Sequence, residues 1–344
     1  MKTTIVIPVK NESRHLDVLI ESLLKQIGQE DEIFFIDAGS IDNTQQIIQS
    51  YAIKHPPIRL YVCPGAFPGK ARNMAIRHTN ADVIAQIDGG NIPGECWLEK
   101  LLEPIRDAKA DYVTGDVDAM PINIRFLGID LDLGAVYAAT LFRVPRLGKS
   151  GGPPAAGGAC AAYKREIWEK SGGFPEWLRF GSDPLYIKKV CQQPIKFAFV
   201  QEAVIYWQIG PRPLDVLRRH FRNQKNIFLS LGHMKKSSFK VLIRMLVCVF
   251  LVAGLWVPYL ALLSMIMFAF MSFVQFKKSL KIYCSRNKHQ ISQMLVIGVL
   301  ILGIDVVAMA AKIVGTLYYG AIFLFRWCRG EHQTQEKAYL SADA

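Results

Sequence analysis

Apolar and polar positions along this chain follow two regimes. Up to about residue 200, short β-branched or apolar runs alternate with stretches in which apolar residues recur every three to four positions, the signatures of strands and helices. Thr3 to Val9 predicts a buried strand, Lys10 to Ser13 a turn with Ser13 as helix N-cap, and Leu16, Leu19, Ile20, Leu23, Leu24 and Ile27 the inner face of a helix that Gly28 ends. Ile33 to Ile36 reads as a second buried strand that breaks at Asp37-Ala38-Gly39-Ser40. Asp42 is the expected N-cap of the next helix, with Ile47, Ile48 and Tyr51 turned inward. Further strands are expected at Ile58–Val62, Val83–Ile87, Tyr112–Val117 and from Phe197 to Val200, and helices after Lys70, through Trp97, Leu98, Leu101 and Leu102, and after Tyr163. Strands and helices in alternation with short links predict an α/β fold with a mainly parallel sheet.

The second regime is continuous apolar sequence. Residues 245–274 and 294–304 carry no charge. As one straight helix the first run is about 45 Å long, more than a hydrocarbon core of about 30 Å, so a bend or tight hairpin is expected at Pro258. The expected division is therefore a globular α/β domain over 1–230, a membrane-embedded helical region over 231–330 (about 241–274 and 294–325) and a polar tail over 331–344. Asp305 and Lys312 share a helical face and suit an internal ion pair.

Charge sharpens this picture. The net charge is +12, and between Arg212 and Arg244 nine Lys or Arg face one acid, Asp215. A basic belt beside an apolar run suits anionic lipid at a cytoplasmic face, as do the basic flanks Lys277, Lys278, Lys281, Arg286, Arg326 and Arg329. The expectation is an inner-membrane protein, multi-pass or re-entrant, with its first domain in the cytoplasm. Nucleic acid is not expected as a partner, because no zinc-finger spacing or RNP-type motif accompanies the charge. Seven scattered cysteines, none spaced C-x-x-C, argue against a disulfide framework or zinc site, and the apolar start before Pro8 and Lys10 is too short for a signal peptide.

Four acids, Glu12, Asp37, Asp88 and Asp183, fall where strands or loops open onto one cleft. Asp37 either meets a ligand at the carboxyl end of its strand or merely caps a turn, and Asp88 and Lys70 have equally plain structural readings. Transfer from a nucleotide diphosphate needs acids for two jobs, to hold a divalent cation against the leaving group and to take a proton from the attacking hydroxyl. Gly69-Lys70-Ala71-Arg72-Asn73 adds a glycine turn, two cations and a helix start, which suits a phosphate or a base edge.

Taken in order, Val6-Ile7-Pro8-Val9-Lys10-Asn11-Glu12, Ile36 to Thr44, Gly69 to Asn73, Ile87-Asp88-Gly89-Gly90, Gly172-Gly173-Phe174 and Ser182-Asp183 resemble family 2 glycosyltransferases over about residues 1–230. The resemblance implies a GT-A, Rossmann-like fold, a nucleotide-sugar donor and inversion by direct displacement. It implies Pro8, Glu12 and Asp37 facing the nucleoside with Arg72 beside them, Asp88 opening the metal-binding D-x-D, and Asp183 as general base. Lys70, Arg218 and Arg222 are the candidate diphosphate cations, the last two in a basic stretch around His220 that resembles the region where relatives close over the leaving group. The chain departs from the pattern at Gly90, where the second Asp is missing, at Ser182, at Lys10 and in lacking Q-x-x-R-W. Asn91 and His220 are the remaining candidates beside Asp88 for Mg²⁺ or Mn²⁺.

The expected protein is a membrane-attached inverting glycosyltransferase acting on a lipid-linked or surface-glycan acceptor. The alternative, motivated by Gly90 and Ser182, is a catalytically silent nucleotide-sugar binder or scaffold of a glycan-assembly complex. A dinucleotide oxidoreductase is excluded, since Pro8 to Ser13 contains no glycine. A channel or transporter would need more membrane length than this chain has.

Overall fold

The computed structural model describes residues 1–126, 129–141, 158–179, 181–208, 253–286 and 296–310, with separate positions between 243 and 250 and at 313–314. It divides into two units, one within Met1–Asp118 and Val144–Gln208, the other within Ala119–Arg143 and Ile209–Ala338.

The first unit is built on an eight-stranded sheet. Its strands are β1 (Thr3–Val9), β2 (Glu32–Asp37), β3 (Ile58–Val62), β4 (Val83–Ile87), β5 (Asn91–Pro93), β6 (Tyr112–Ala119), β9 (Cys160–Lys164) and β10 (Phe197–Trp207), in the spatial order β3-β2-β1-β4-β9-β6-β10-β5. Between them run α1 (Leu16–Leu24), α2 (Thr44–Lys54), α3 (Pro68–Arg77), α4 (Trp97–Arg106), α6 (Arg165–Lys170) and α7 (Ser182–Val190). Strands β3, β2, β1 and β4 are parallel because each is reached by a crossover helix. Beyond β4 the sheet turns antiparallel, with β4 on β9, β9 on β6 and β10 on β5.

Strand β1 sits inside the parallel half, which is why Ile5, Val6 and Ile7 are buried on both faces rather than alternating. Helix α3 lies on one face through Ala71, Ala75 and Ile76, in one buried cluster with Phe34, Tyr163 and Phe174. Burying a residue of the size of Phe34 stabilises the fold by about 1.5–3 kcal/mol.

Two expected caps are corrected. Helix α1 starts at Leu16 with His15 as N-cap, and Ser13 instead donates its backbone N–H to Asp42 Oδ2 at 3.2 Å. The N-cap of α2 is Asn43; Asp42 lies one residue earlier and accepts the Thr44 N–H at 3.1 Å and its hydroxyl at 2.5 Å. A polar side chain that bridges two turns serves better here than one that closes a single helix end.

In the second unit a hairpin, β7 (Asn123–Phe126) and β8 (Ile129–Asp132), leads into α5 (Leu133–Leu141). Val136 and Ala139 of α5 pack with Tyr283 of the long helix α8 (Pro258–Arg286) and with Ile297 and Ile301 of α9 (Val296–Ala310). Pro258 opens α8, as a residue without a backbone donor can. The apolar run does fold back there: Ser264 Oγ donates to the Val247 carbonyl at 3.0 Å across the turn at 254–257. Helix α8 then continues unbroken through Lys277, Lys278 and Lys281, which the sequence had placed in a link between two apolar regions. Asp305 is fully buried, and its expected partner Lys312 lies outside the described residues.

Candidate functional site

The parallel strands bring their carboxyl ends to one edge of the first unit. Val9 of β1 pairs with Asp37 of β2, and β4 runs beside β1 to end at Ile87, so Glu12, Asp37 and Asp88 follow neighbouring strand ends. Main-chain geometry ties the loops together, since Gly89 N–H donates to the Pro8 carbonyl at 3.3 Å and Asn91 N–H to the Asp88 carbonyl at 3.0 Å.

The centre of the site is Arg72, on the inner face of α3 and only 2% exposed. Its Nη1 donates to Asp183 Oδ1 at 2.8 Å and its Nη2 to Asp88 Oδ1 at 2.8 Å, with the Gly158 carbonyl a further acceptor at 3.3 Å. The guanidinium carbon stands 5.6 Å from the centre of the Phe174 ring. One residue from the phosphate-loop motif thus joins the end of β4 to the start of α7. Both acids keep an outer side open, Asp88 being 42% and Asp183 30% exposed at the side chain.

Electrostatics follow from that enclosure. Burial disfavours the charge of Arg72, but Asp183 and then Asp88 outweigh it and hold the guanidinium above its ordinary range. Asp88 is pushed up, first by desolvation against the protein wall below it and then by the Asp183 charge, with Arg72 opposing both. Tyr112 and Tyr163 stack at 5.1 Å beneath the cluster, and burial keeps both phenols neutral.

The remaining sequence-selected residues take different places. Asp37 is fully buried, its Oδ1 accepting from Gly39 N–H at 2.8 Å, Ser40 N–H at 2.7 Å and Gln45 Nε2 at 3.1 Å. It therefore shapes the β2–α2 turn. The Glu12 side chain lies across the Gly89-Gly90 turn: a β-carbon at Gly90 would stand 3.3 Å from Glu12 Oε2. Lys70 is exposed on the first turn of α3, and Asn91 is buried with its amide nitrogen unpartnered. Arg218, His220 and Arg222 lie outside the described residues.

Two residues have roles that the sequence reading did not assign. Asn73 is buried and pins the Gly-Gly-Phe turn, accepting from Phe174 N–H at 2.8 Å and Trp168 Nε1 at 2.9 Å while donating to the Phe174 carbonyl at 2.9 Å and to Glu176 at 2.9 Å. Gly173, at φ +80°, has no room for a side chain, since a β-carbon would meet Asn73 Oδ1 at 2.8 Å. Gly158 is the second, packed on the Asp183 carboxylate so closely that a β-carbon would fall on it. For Asn73 the signal was its place in the Gly69 to Asn73 motif; for Gly158 it was the stretch 148–162, rich in Gly, Pro and Ala, which reads either as a loop bordering a site or as a mere connector. A separate cleft of about 490 Å³ lined by Met1, Asp82, Lys164 and Glu169 lies at the opposite edge of the sheet, away from these acids.

Comparison with known proteins agrees with this architecture. Residues 4–172 match the family model described as glycosyl transferase family 2. The chain is 24% identical over 227 residues to the O-antigen chain rhamnosyltransferase RfbN of Salmonella typhimurium, covering 64% of this chain and 71% of that one. It is 29% identical over 114 residues to the glycosyltransferase GlyG of Streptococcus pneumoniae, 33% of this chain and 38% of the relative's length. Among solved structures, the mannosyltransferase PcManGT from Pyrobaculum calidifontis, in complex with GDP-Man and Mn²⁺, superposes with a TM-score of 0.51 at 16% identity, covering 90% of this chain and 86% of that one. At that identity the likeness is one of fold, a GT-A arrangement.

Proposed function

From the premise that this chain belongs to glycosyl transferase family 2 through residues 4–172, we propose that it transfers a sugar from a nucleotide diphosphate donor, with Asp183 as general base. The observation that supports this reading is the Arg72 fork, which holds one acid at the donor-side strand end and another at the start of α7 with their outer sides open. In the reaction the acceptor oxygen forms a bond to the anomeric carbon as the bond from that carbon to the diphosphate oxygen breaks, and the hydroxyl proton passes to Asp183. A single displacement of this kind inverts the anomeric centre. Of the Asp183 carboxylate, Oδ1 is taken by Arg72 and Oδ2 lies against Gly158, while the side chain stays 30% exposed on the side where a hydroxyl would approach. On this reading Pro8 and Glu12 serve the nucleoside, Asp37 supports them by holding the β2–α2 turn, and Lys70 serves the diphosphate.

A divalent cation was expected at Asp88 with Asn91 and His220. The described residues alone do not assemble a donor set for a resident ion: Gly90 offers no carboxylate and one Asp88 oxygen is committed to Arg72, so an ion here would depend on the donor's own phosphate oxygens.

Membrane attachment rests on α8, where the usual distribution is reversed. Ser264, Ser272 and Ser279 are at most 3% exposed, whereas Tyr259 is 83%, Met265 63% and Phe270 66% exposed. Polar residues inside and apolar residues outside suit lipid rather than water. The helix is long and apolar enough to cross a bilayer. A protein that meets lipid through α8 is suited to a lipid-linked or surface-glycan acceptor.

The test is a screen of UDP-, GDP- and CDP-sugars for release of the nucleoside diphosphate in the presence of lipid extract as acceptor source. Release from one nucleotide class supports transfer. Binding of a donor with no release from any of them supports the silent alternative.

A further inference from the structure

Asp88 and Asp183 carry negative charge into a cleft that, on the reading above, receives a diphosphate bearing more. Bare carboxylates there would repel the donor, and where two acids flank such a leaving group a divalent ion supplies the missing positive charge. Here the inward oxygens of both acids are already taken by one guanidinium, 2.8 Å from each. Arg72 is held from several directions. It is 2% exposed, the Gly158 carbonyl accepts from Nη2, the Phe174 ring lies alongside, and Asn73, the next residue on α3, locks the Gly172–Phe174 turn that carries that ring. Its Nε–H is buried with no partner. The neighbouring turn is consistent with this arrangement, since an acid at position 90 would place its β-carbon 3.3 Å from the Glu12 carboxylate.

We propose that Arg72 is the built-in counter-cation of this site. It fixes Asp88 against Asp183 and offsets one of their two negative charges, in the place where a bound divalent ion would otherwise act, so that a nucleotide diphosphate binds without metal. The proposal rests on the donor-site reading. Arg72 acts here as a positioning residue, through the two acids. A guanidinium differs from an ion in being present before the donor arrives and in being insensitive to chelators.

The experiment is isothermal titration of the purified protein with UDP and with GDP, each with Mn²⁺ and with EDTA. It is paired with electron paramagnetic resonance of Mn²⁺ added to the protein alone, for the unaltered protein, Arg72→Lys and Arg72→Gln. The unaltered protein is expected to bind one nucleotide with affinities in EDTA and Mn²⁺ that agree within about threefold, and to leave the Mn²⁺ signal that of the free ion. Arg72→Gln, which uncovers both acids, is expected to lose about tenfold or more in affinity in EDTA, the scale of a charge-assisted hydrogen bond, and to take up Mn²⁺. Arg72→Lys keeps the charge without the fork and should fall between. Circular dichroism checks folding; if Arg72→Gln does not fold, the lysine variant and the unaltered protein decide. Binding abolished by EDTA in the unaltered protein overturns the proposal while leaving the donor site intact. Folded Arg72→Gln that binds as well as the unaltered protein in EDTA also overturns it. Absence of nucleotide binding in every condition overturns the donor-site reading and this proposal with it.

Discussion

Gly158 packs its Cα against the carboxylate of Asp183, leaving no space for a β-carbon between them. Its carbonyl also accepts from Arg72, so the backbone at this position touches both members of the pair that positions the base. Gly158→Ala should therefore displace Asp183 without unfolding the sheet. A displacement of about 1 Å in a reacting group costs on the order of 100-fold in rate, and nucleotide affinity should change by less than about threefold. Steady-state turnover set beside a nucleotide titration checks this. Equal losses in both would point to a general collapse of the cleft.

Asn73 is the amide on which the Gly-Gly-Phe turn depends. Asn73→Ala strands the buried Phe174 N–H and the Trp168 indole N–H in one step. The cost should be about 2–4 kcal/mol, two to three buried polar groups each worth about 1–3 kcal/mol with partial relief by water. Urea denaturation of the purified protein measures it, and a change under about 0.5 kcal/mol would show that the turn is held elsewhere.

The parallel half of the fold was legible because its strands are buried on both faces and therefore read as unbroken runs, Ile33 to Ile36 being the clearest. The antiparallel half was less so. Strand β5 is three residues long, and the β7–β8 hairpin has short strands in a stretch where no long-range pattern exists. Glu12, Asp37 and Asp88 were found by their place at strand ends and Asp183 through the family resemblance, but their grouping was not found. Nothing in the spacing of Arg72, Asp88 and Asp183 says that one guanidinium holds both, because that depends on how far α3 and α7 lean over the sheet. Ser13 and Asp42 show the same limit: each is a good cap by composition, and tertiary contact between two turns decided otherwise.

Asp42 makes that cross-turn contact titratable. Partial burial pushes its carboxyl up, but hydrogen bonds from Thr44 and Ser13 outweigh this and bring it down to about 2 from 3.8. A carboxyl lowered by folding stabilises the folded state fully above its unfolded value and loses that contribution as pH falls through its folded value. Asp42→Asn should accordingly melt below the unaltered protein at neutral pH, with the gap closing between pH 3.8 and about 2. Melting curves across that range test it; a gap independent of pH would assign the effect to shape alone.

The exposed face of α8 gives the membrane prediction. Replacing Phe270 and Phe273 by Glu puts two charges where apolar rings now stand open, 66% and 54% exposed. If that face meets lipid, co-flotation with anionic liposomes should drop by about tenfold or more, two aromatic side chains being worth several kcal/mol of transfer. Unchanged flotation would place the lipid contact elsewhere.

The central claim is that Asp183, held by Arg72, takes the proton of the attacking hydroxyl. Its most direct measurement compares release of nucleoside diphosphate from the donor by the unaltered protein and by Asp183→Asn, with nucleotide affinity measured on the same samples. The account predicts that turnover falls by about 10²–10⁴-fold, the usual contribution of a general base, while the nucleotide still binds. Turnover within about threefold of the unaltered protein, on the same scale of base catalysis, would contradict it.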